Sequence, residues 1–147
     1  MIIHTRLLFM LPVRFALAGF GAWGKFHAQS IQSNPDAQLV AISAPSEASR
    51  AEAQQLYPNA LVFSDSLEMI AQANFDIIDI VTPSHTHREI ALAAMQKGHH
   101  VLLEKPMAIT LEDCKAIVAC AQQFGVHLAV GHELRLSSQW GRIKEII

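Results

Sequence analysis

From residue 13 onward, short apolar runs alternate with longer amphipathic stretches. Residues 13–18, 38–43, 61–63, 77–81, 100–103 and 126–130 are brief, aliphatic and bounded by turn residues, which predicts six strands. The stretches between them carry helix signals. Asp65 with Glu68 and Thr86 with Glu89 have the spacing of a capping box, and Thr110 with Asp113 is a weaker version of it. Gly98 and Gly125 fall where a helix would end on a left-handed residue, and Pro58 stops the helix that carries Ala51 and Leu56. Leu111, Cys114, Ile117, Val118, Ala121 and Phe124 recur at helical spacing, so this helix is expected to lay one apolar face on a sheet. Strand and helix alternating in this way predict an α/β doubly wound fold: a mostly parallel six-stranded sheet in the order 3-2-1-4-5-6, with helices on both faces.

The polar punctuation falls on one edge of that frame. Gly19-Phe20-Gly21-Ala22-Trp23-Gly24 spells GxGxxG directly behind the first strand. In a dinucleotide-binding turn the first glycine allows the sharp exit from the strand, and the second lets main chain approach a pyrophosphate. The third brings the next helix close to the sheet, whose opening N–H groups then face the phosphates. The plain alternative is a glycine-rich connection with no ligand. Thr82-Pro83 follows strand four, Glu104-Lys105-Pro106 follows strand five and Gly131-His132 follows strand six. All lie at carboxyl ends, the edge where open α/β sheets bind ligands. The opposite edge offers ordinary turns such as Asn34-Pro35 and Lys97-Gly98.

Each of these residues has a chemical reading and a bland one. An ammonium at Lys105 would donate a hydrogen bond to developing alkoxide charge, with Glu104 tuning it and Pro106 holding Lys105 extended; otherwise it is a surface lysine before a turn. Thr82 and Pro83 are expected against the nucleotide. His87 either contacts cofactor or loop, or is a half-exposed residue at a helix start. His85 and His87 do not share a helix face and no cysteine or carboxylate set completes them, so no metal is expected. Of His99 and His100, one ring is expected outward and one packed, and Trp23 and Phe26 are read as packing. The ribose-binding carboxylate expected about twenty residues past the glycines is missing, because residues 42–46 read Ile-Ser-Ala-Pro-Ser. Ser43, Ser46 and Arg50 would suit a 2′-phosphate, which favours NADP over NAD.

Composition narrows the classes. With 147 residues, 51% apolar and 16% charged, the chain can build one core. A net charge of −2, with 11 scattered Lys and Arg, argues against a nucleic-acid partner. Cys114 and Cys120 lie six positions apart in one helix and point apart, so a disulfide is not expected and a cytoplasmic setting is. No run approaches the roughly 18 to 20 apolar residues that span a bilayer. The apolar opening is cut by Arg6 and Arg14, and the place for a cleavage site is the strand that feeds the glycine turn. Residues 1–12 are therefore read as an extension, 13–136 as the dinucleotide-binding domain and 137–147 as the start of a further helix.

The segments GFGAWGKFHA, DIIDIVTPSHTHREIALAAMQKGHHVLLEKPMAIT and VGHELRLSSQW together resemble the nucleotide-binding half of the glucose-fructose oxidoreductase and inositol dehydrogenase family, Gfo/Idh/MocA. The combination of TPxxxH with EKP about twenty residues later is specific to that group. The resemblance implies an NAD(P)-dependent oxidoreductase acting on a sugar, polyol or related alcohol or carbonyl compound, with Lys105 beside the nicotinamide. His132 matches the family's GHxxRF segment, with Leu136 in place of the aromatic residue. Relatives continue into a second α/β domain that supplies an Asp and a His, and nothing here matches it. Two functions therefore stand: a hydride-transfer domain completed by further chain, or a dinucleotide-binding module without turnover. Apolar surface left uncovered would favour a homo-oligomer. Methyltransferases also place glycines after strand one, but behind an acidic residue where this chain has Leu17-Ala18.

Overall fold

The computed structural model describes residues 11–146. Six parallel strands, β1 (Val13–Ala18), β2 (Ala37–Ser43), β3 (Leu61–Phe63), β4 (Ile77–Ile80), β5 (His100–Glu104) and β6 (Leu128–Gly131), form one sheet in the order β3-β2-β1-β4-β5-β6. The crossovers are α1 (Ala22–Ser33), α2 (Glu47–Leu56), α3 (Ser66–Gln72), α4 (His87–Gln96) and α5 (Leu111–Phe124), and α6 (Ser138–Ile146) follows β6. Of the extension expected over residues 1–12, only Leu11 and Pro12 fall within the described residues.

Alternation along the strands divides the core between two faces. Ala16 and Ala18 on β1 and Ile78 and Ile80 on β4 pack with Met69, Ile90, Met95 and Ile117 from α3, α4 and α5. Leu17 and Ile42 face the other way, with Ala28, Ile31 and Ala53 from α1 and α2. Asp79 lies between Ile78 and Ile80 and pairs in register with Leu17, so it projects on the α1 side.

Several element boundaries differ from the sequence expectation for local reasons. β6 begins at Leu128 because the Val126 N–H closes the end of α5 on the Ala121 carbonyl, with Gly125 at φ 64°. The same pattern ends α4, with Gly98 at φ 84° and the His99 N–H on Ala94. Asp65 caps α3 by accepting from Leu67 and Glu68 N–H, and Thr110 caps α5 through Asp113 N–H. Thr86 does not cap α4: a 3₁₀ turn over Ser84–Thr86 leads into that helix, and the Thr86 hydroxyl donates to Pro83 O and Thr82 Oγ1. The α5 face is also corrected. Ile117, Cys120 and Ala121 are buried, whereas Leu111 is 64% exposed and Val118 and Phe124 are exposed too. β6 is the last strand, so the outer half of the apolar stripe overhangs the edge of the sheet. His99 and His100 are both half-buried, the first stacked on Phe75 and the second accepting from His127 N–H.

At the start of β4, Asp76 accepts from the Arg14 main-chain N–H at 2.9 Å and from its guanidinium at 2.6 and 3.1 Å. The Asp76 N–H in turn donates to Arg14 O, which ties β4 to β1. Hydrogen bonding to the Arg14 side chain brings the Asp76 carboxyl from 3.8 to about 2. Because this group is depressed in the folded state, its stabilisation is complete above its unfolded value and is lost as pH falls through about 2. The pair is part-exposed and screened, so the effect is modest. Asp76→Asn is expected to lower the thermal midpoint at pH 7 and to reduce its fall between pH 4 and 2, as followed by circular dichroism.

Candidate functional site

The turn from β1 into α1 is main chain packed on main chain. Gly19 has φ 99°, and a Cβ there would lie 2.8 Å from Val81 O. A Cβ on Gly24 would run into the Gly19 carbonyl oxygen. Gly21 is different, since among the described residues no atom lies within 4 Å of where its Cβ would be. It is the N-cap of α1 and makes no side-chain cap, and the first turn contains no acid. The opening N–H groups of that helix are therefore left to whatever enters the space beside them.

That space is a groove of about 830 Å³ running across the carboxyl ends of the strands. Of the residues expected at the site, Gly19, Phe20, Gly21, Ala22, Trp23, Gly24, Ser46, Thr82 and Pro83 line it. Ser49 in the first turn of α2, and Ser64, Asp65 and Ser66 between β3 and the first turn of α3, also line it and were not anticipated. Their signal was present in the seryl-rich turns after two predicted strands.

The other expected residues do not line the groove. Ser43 is buried and shares a hydrogen bond with the Ser66 hydroxyl at 2.8 Å. Arg50 turns one guanidinium nitrogen to the carbonyls of Ala44 and Pro45, at 3.0 and 2.6 Å. His87 is buried, with Nε2 2.8 Å from Thr82 O and Nδ1 3.1 Å from Pro106 O, so it joins the loop after β4 to the loop after β5. The peptide between Lys105 and Pro106 is cis. Lys105 is half-exposed, its side chain 46% accessible and its Nζ 5.7 Å from the centre of the Trp23 ring, which lines the groove. Trp23 and Phe26, read as packing, are 47% and 60% exposed and tilt against each other on the open side of α1.

Behind Lys105 runs a chain of polar groups of which the sequence suggested only Glu104; Asp79, His27 and Glu133 were not anticipated. The buried Asp79 carboxylate meets His27 Nδ1 at 2.8 Å through Oδ2. His27 Nε2 lies 3.5 Å from Glu104 Oε1, and Glu104 Oε2 is 3.8 Å from Lys105 Nζ and accepts from its main-chain N–H at 3.0 Å. Lys105 Nζ is also 3.5 Å from Glu133. The His27 ring is raised above its ordinary value, first by the hydrogen bond to Asp79 and further by the charges of Glu104 and Glu133, against the opposing effect of burial. Burial raises the Asp79 carboxyl, against the pull of His27. Gly131, opposite Glu104 in the sheet, leaves room for that carboxylate: a Cβ there would lie 2.9 Å from Oε1. The one sequence clue was an acid inside the apolar run 77–81.

A doubly wound sheet with a glycine-cornered groove at its switch point, where β1 and β4 lie side by side, defines a nucleotide-binding α/β domain. Residues 13–132 match the model of the oxidoreductase family with an NAD-binding Rossmann fold, and the chain belongs to this family, Gfo/Idh/MocA. It is similar to the 1-carboxy-3-chloro-3,4-dihydroxycyclohexa-1,5-diene dehydrogenase of Comamonas testosteroni, with 34% identity over 92% of this chain and 34% of the relative. Crystal structures of scyllo-inositol dehydrogenase from Lactobacillus casei superpose with TM-scores of 0.86 for the apo form and 0.83 for the form with NAD(H) and scyllo-inositol, at 25% identity. They cover 92% of this chain and about 40% of that one. The chain thus spans well under half the length of these relatives. No helix among the described residues is long and apolar enough to cross a membrane.

Gly19→Ala combines a left-handed backbone with a collision against Val81 O. It is expected to cost about 1 to 3 kcal/mol of stability, measured by urea unfolding.

Proposed function

We propose that this chain is the dinucleotide-binding part of an oxidoreductase that moves a hydride between nicotinamide and a sugar, polyol or related alcohol or carbonyl substrate. The observation that carries the reading is the open N-terminus of α1. Main-chain donors with no side-chain cap face a groove, and the Gly21 position is clear of other protein atoms. A diphosphate would be held there by the N–H groups following Gly21, with Gly19 and Gly24 keeping the turn tight enough to present them. The bound nicotinamide would supply the hydride donor or acceptor.

The chain's own residues divide the remaining work. Thr82 and Pro83 would wall the nicotinamide end, where the proline leaves no N–H to compete for ligand. His87 holds this wall to the loop carrying Lys105. Lys105 Nζ would donate to the substrate oxygen as it gains negative charge, or take the proton that the hydroxyl releases. At the far end, residues 42–46 contain no acid, the first acid past β2 being Glu47 in the opening turn of α2. The Ser46 hydroxyl caps α2 and donates to the Ser49 hydroxyl, whose own proton is left to a ligand, and Arg50, outside the groove lining, keeps part of its guanidinium unbonded to the carbonyls it touches. Without a carboxylate among residues 42–46 to take a ribose 2′-hydroxyl, and with Asp65, the acid that lines the groove after β3, engaged in capping α3, this end favours NADP over NAD. The substrate would be oriented by groups beyond this domain, as expected for a chain of this length beside its relatives. The overhanging apolar strip of α5 suits a subunit or domain contact, and two free thiols suit a cytoplasmic setting.

Fluorescence titration tests both points. NADPH is expected to bind more tightly than NADH, and the reverse order overturns the NADP assignment. Gly21→Val, whose side chain would project into the diphosphate position, is expected to weaken NADPH binding by more than about tenfold while melting close to the parent. Undiminished affinity in that variant would remove the diphosphate from this turn.

A further inference from the structure

We propose that His27 and Asp79 are positioning residues for Lys105, acting through Glu104. This rests on the reading of Lys105 as the lysine that faces substrate.

The argument is one of geometry and charge. Asp79 sits in the middle of a central strand, 1% exposed, where a carboxylate is costly unless it is paired. Its pairing with His27 satisfies Oδ2, while Oδ1 has no partner among the described residues. A lone acid here would be a defect in the sheet; held against His27, it fixes that ring from behind and favours its charged form. The opposite ring nitrogen is thereby aimed at Glu104 Oε1, and the gap left by Gly131 accommodates the carboxylate.

Glu104 then lies between His27 on the buried side and the Lys105 ammonium on the open side. The groups facing the imidazole are Asp79 from β4, Glu104 from β5 and the Trp23 ring from its own helix, with the Glu133 charge reaching it from beyond β6. Those facing Lys105 are Glu104, Glu133 and Trp23. With His27 charged, Glu104 is partly neutralised and holds Lys105 at its station without binding it fully. When His27 loses its proton, Glu104 is left with Lys105 as its nearby cation and draws the ammonium in, away from substrate.

The experiment uses the full chain and reads Lys105 directly. Acetylation by a water-soluble acetyl ester is followed by mass spectrometry, with Lys115, exposed on α5, as the internal reference. At neutral pH, His27→Gln is expected to slow labelling of Lys105 relative to Lys115 by about threefold, the scale of losing one charge beside a half-buried pair. Asp79→Asn, which keeps the shape but releases the His27 proton more readily, is expected to act in the same direction. In the parent, the Lys105 to Lys115 ratio is expected to fall as pH rises through the His27 titration seen by NMR of the imidazole ring, and this fall is absent from His27→Gln. In a Glu104→Gln background, His27→Gln is expected to have no effect. Unchanged or faster labelling in His27→Gln, or an effect that persists without Glu104, overturns the proposal. Titration of the same samples with NADPH and with NADH keeps the two readings apart: failure of the labelling pattern with either coenzyme still bound removes only the role of His27 and Asp79, whereas failure of the parent to bind both removes the dinucleotide reading itself.

Discussion

The constraint on which the groove depends is between pieces of main chain. At the corner from β1 to α1, the Gly24 backbone lies against the Gly19 carbonyl and Gly19 lies against the carbonyl of Val81. No side chain fits in either place. This packing holds α1 hard against the sheet and aims its first turn along the strand ends. The groove, the open helix terminus and the meeting of the β1 and β4 loops all follow from that one approach. A longer turn would still connect strand to helix, but it would carry the helix away from the edge where its dipole is useful.

The second theme is polarity inside an apolar sheet. Asp79 occupies a position that the alternation of β4 assigns to the α1 face, where its β1 neighbour is Leu17. The fold pairs it with a histidine from α1, and Glu104 stands between that ring and Lys105. Buried ionic groups are poor sources of stability, because desolvation consumes most of their attraction. Their presence here is therefore poorly explained as reinforcement of the core.

Much of the architecture was legible in the residues. Short strands buried on both faces read as apolar runs, and the glycine corner and its groove were readable because each glycine has a local reason to be there. Errors arose where the deciding partner was distant or where a local alternative competed. Helical spacing placed Val118 and Phe124 on one stripe of α5, but only the position of β6 at the sheet edge decides which half of the stripe is covered. Thr86 had capping spacing, yet Thr82 and Pro83 offered nearer acceptors. Ser43 and Arg50 stand near the β2 end as expected, but Ser66 shares the Ser43 hydroxyl and two main-chain carbonyls hold one guanidinium nitrogen of Arg50. His27 and Asp79 are 52 positions apart, and no periodicity joins them.

The Arg14 to Asp76 clasp gains a further meaning from its place in the sheet. The two β-α-β halves meet along β1 and β4, and the clasp fastens that seam at the foot while the glycine corner fastens it at the top. Motion of one half against the other is thereby opposed at both ends. A ligand lying across the seam meets walls already in register, so little of its binding energy is diverted to ordering the receptor.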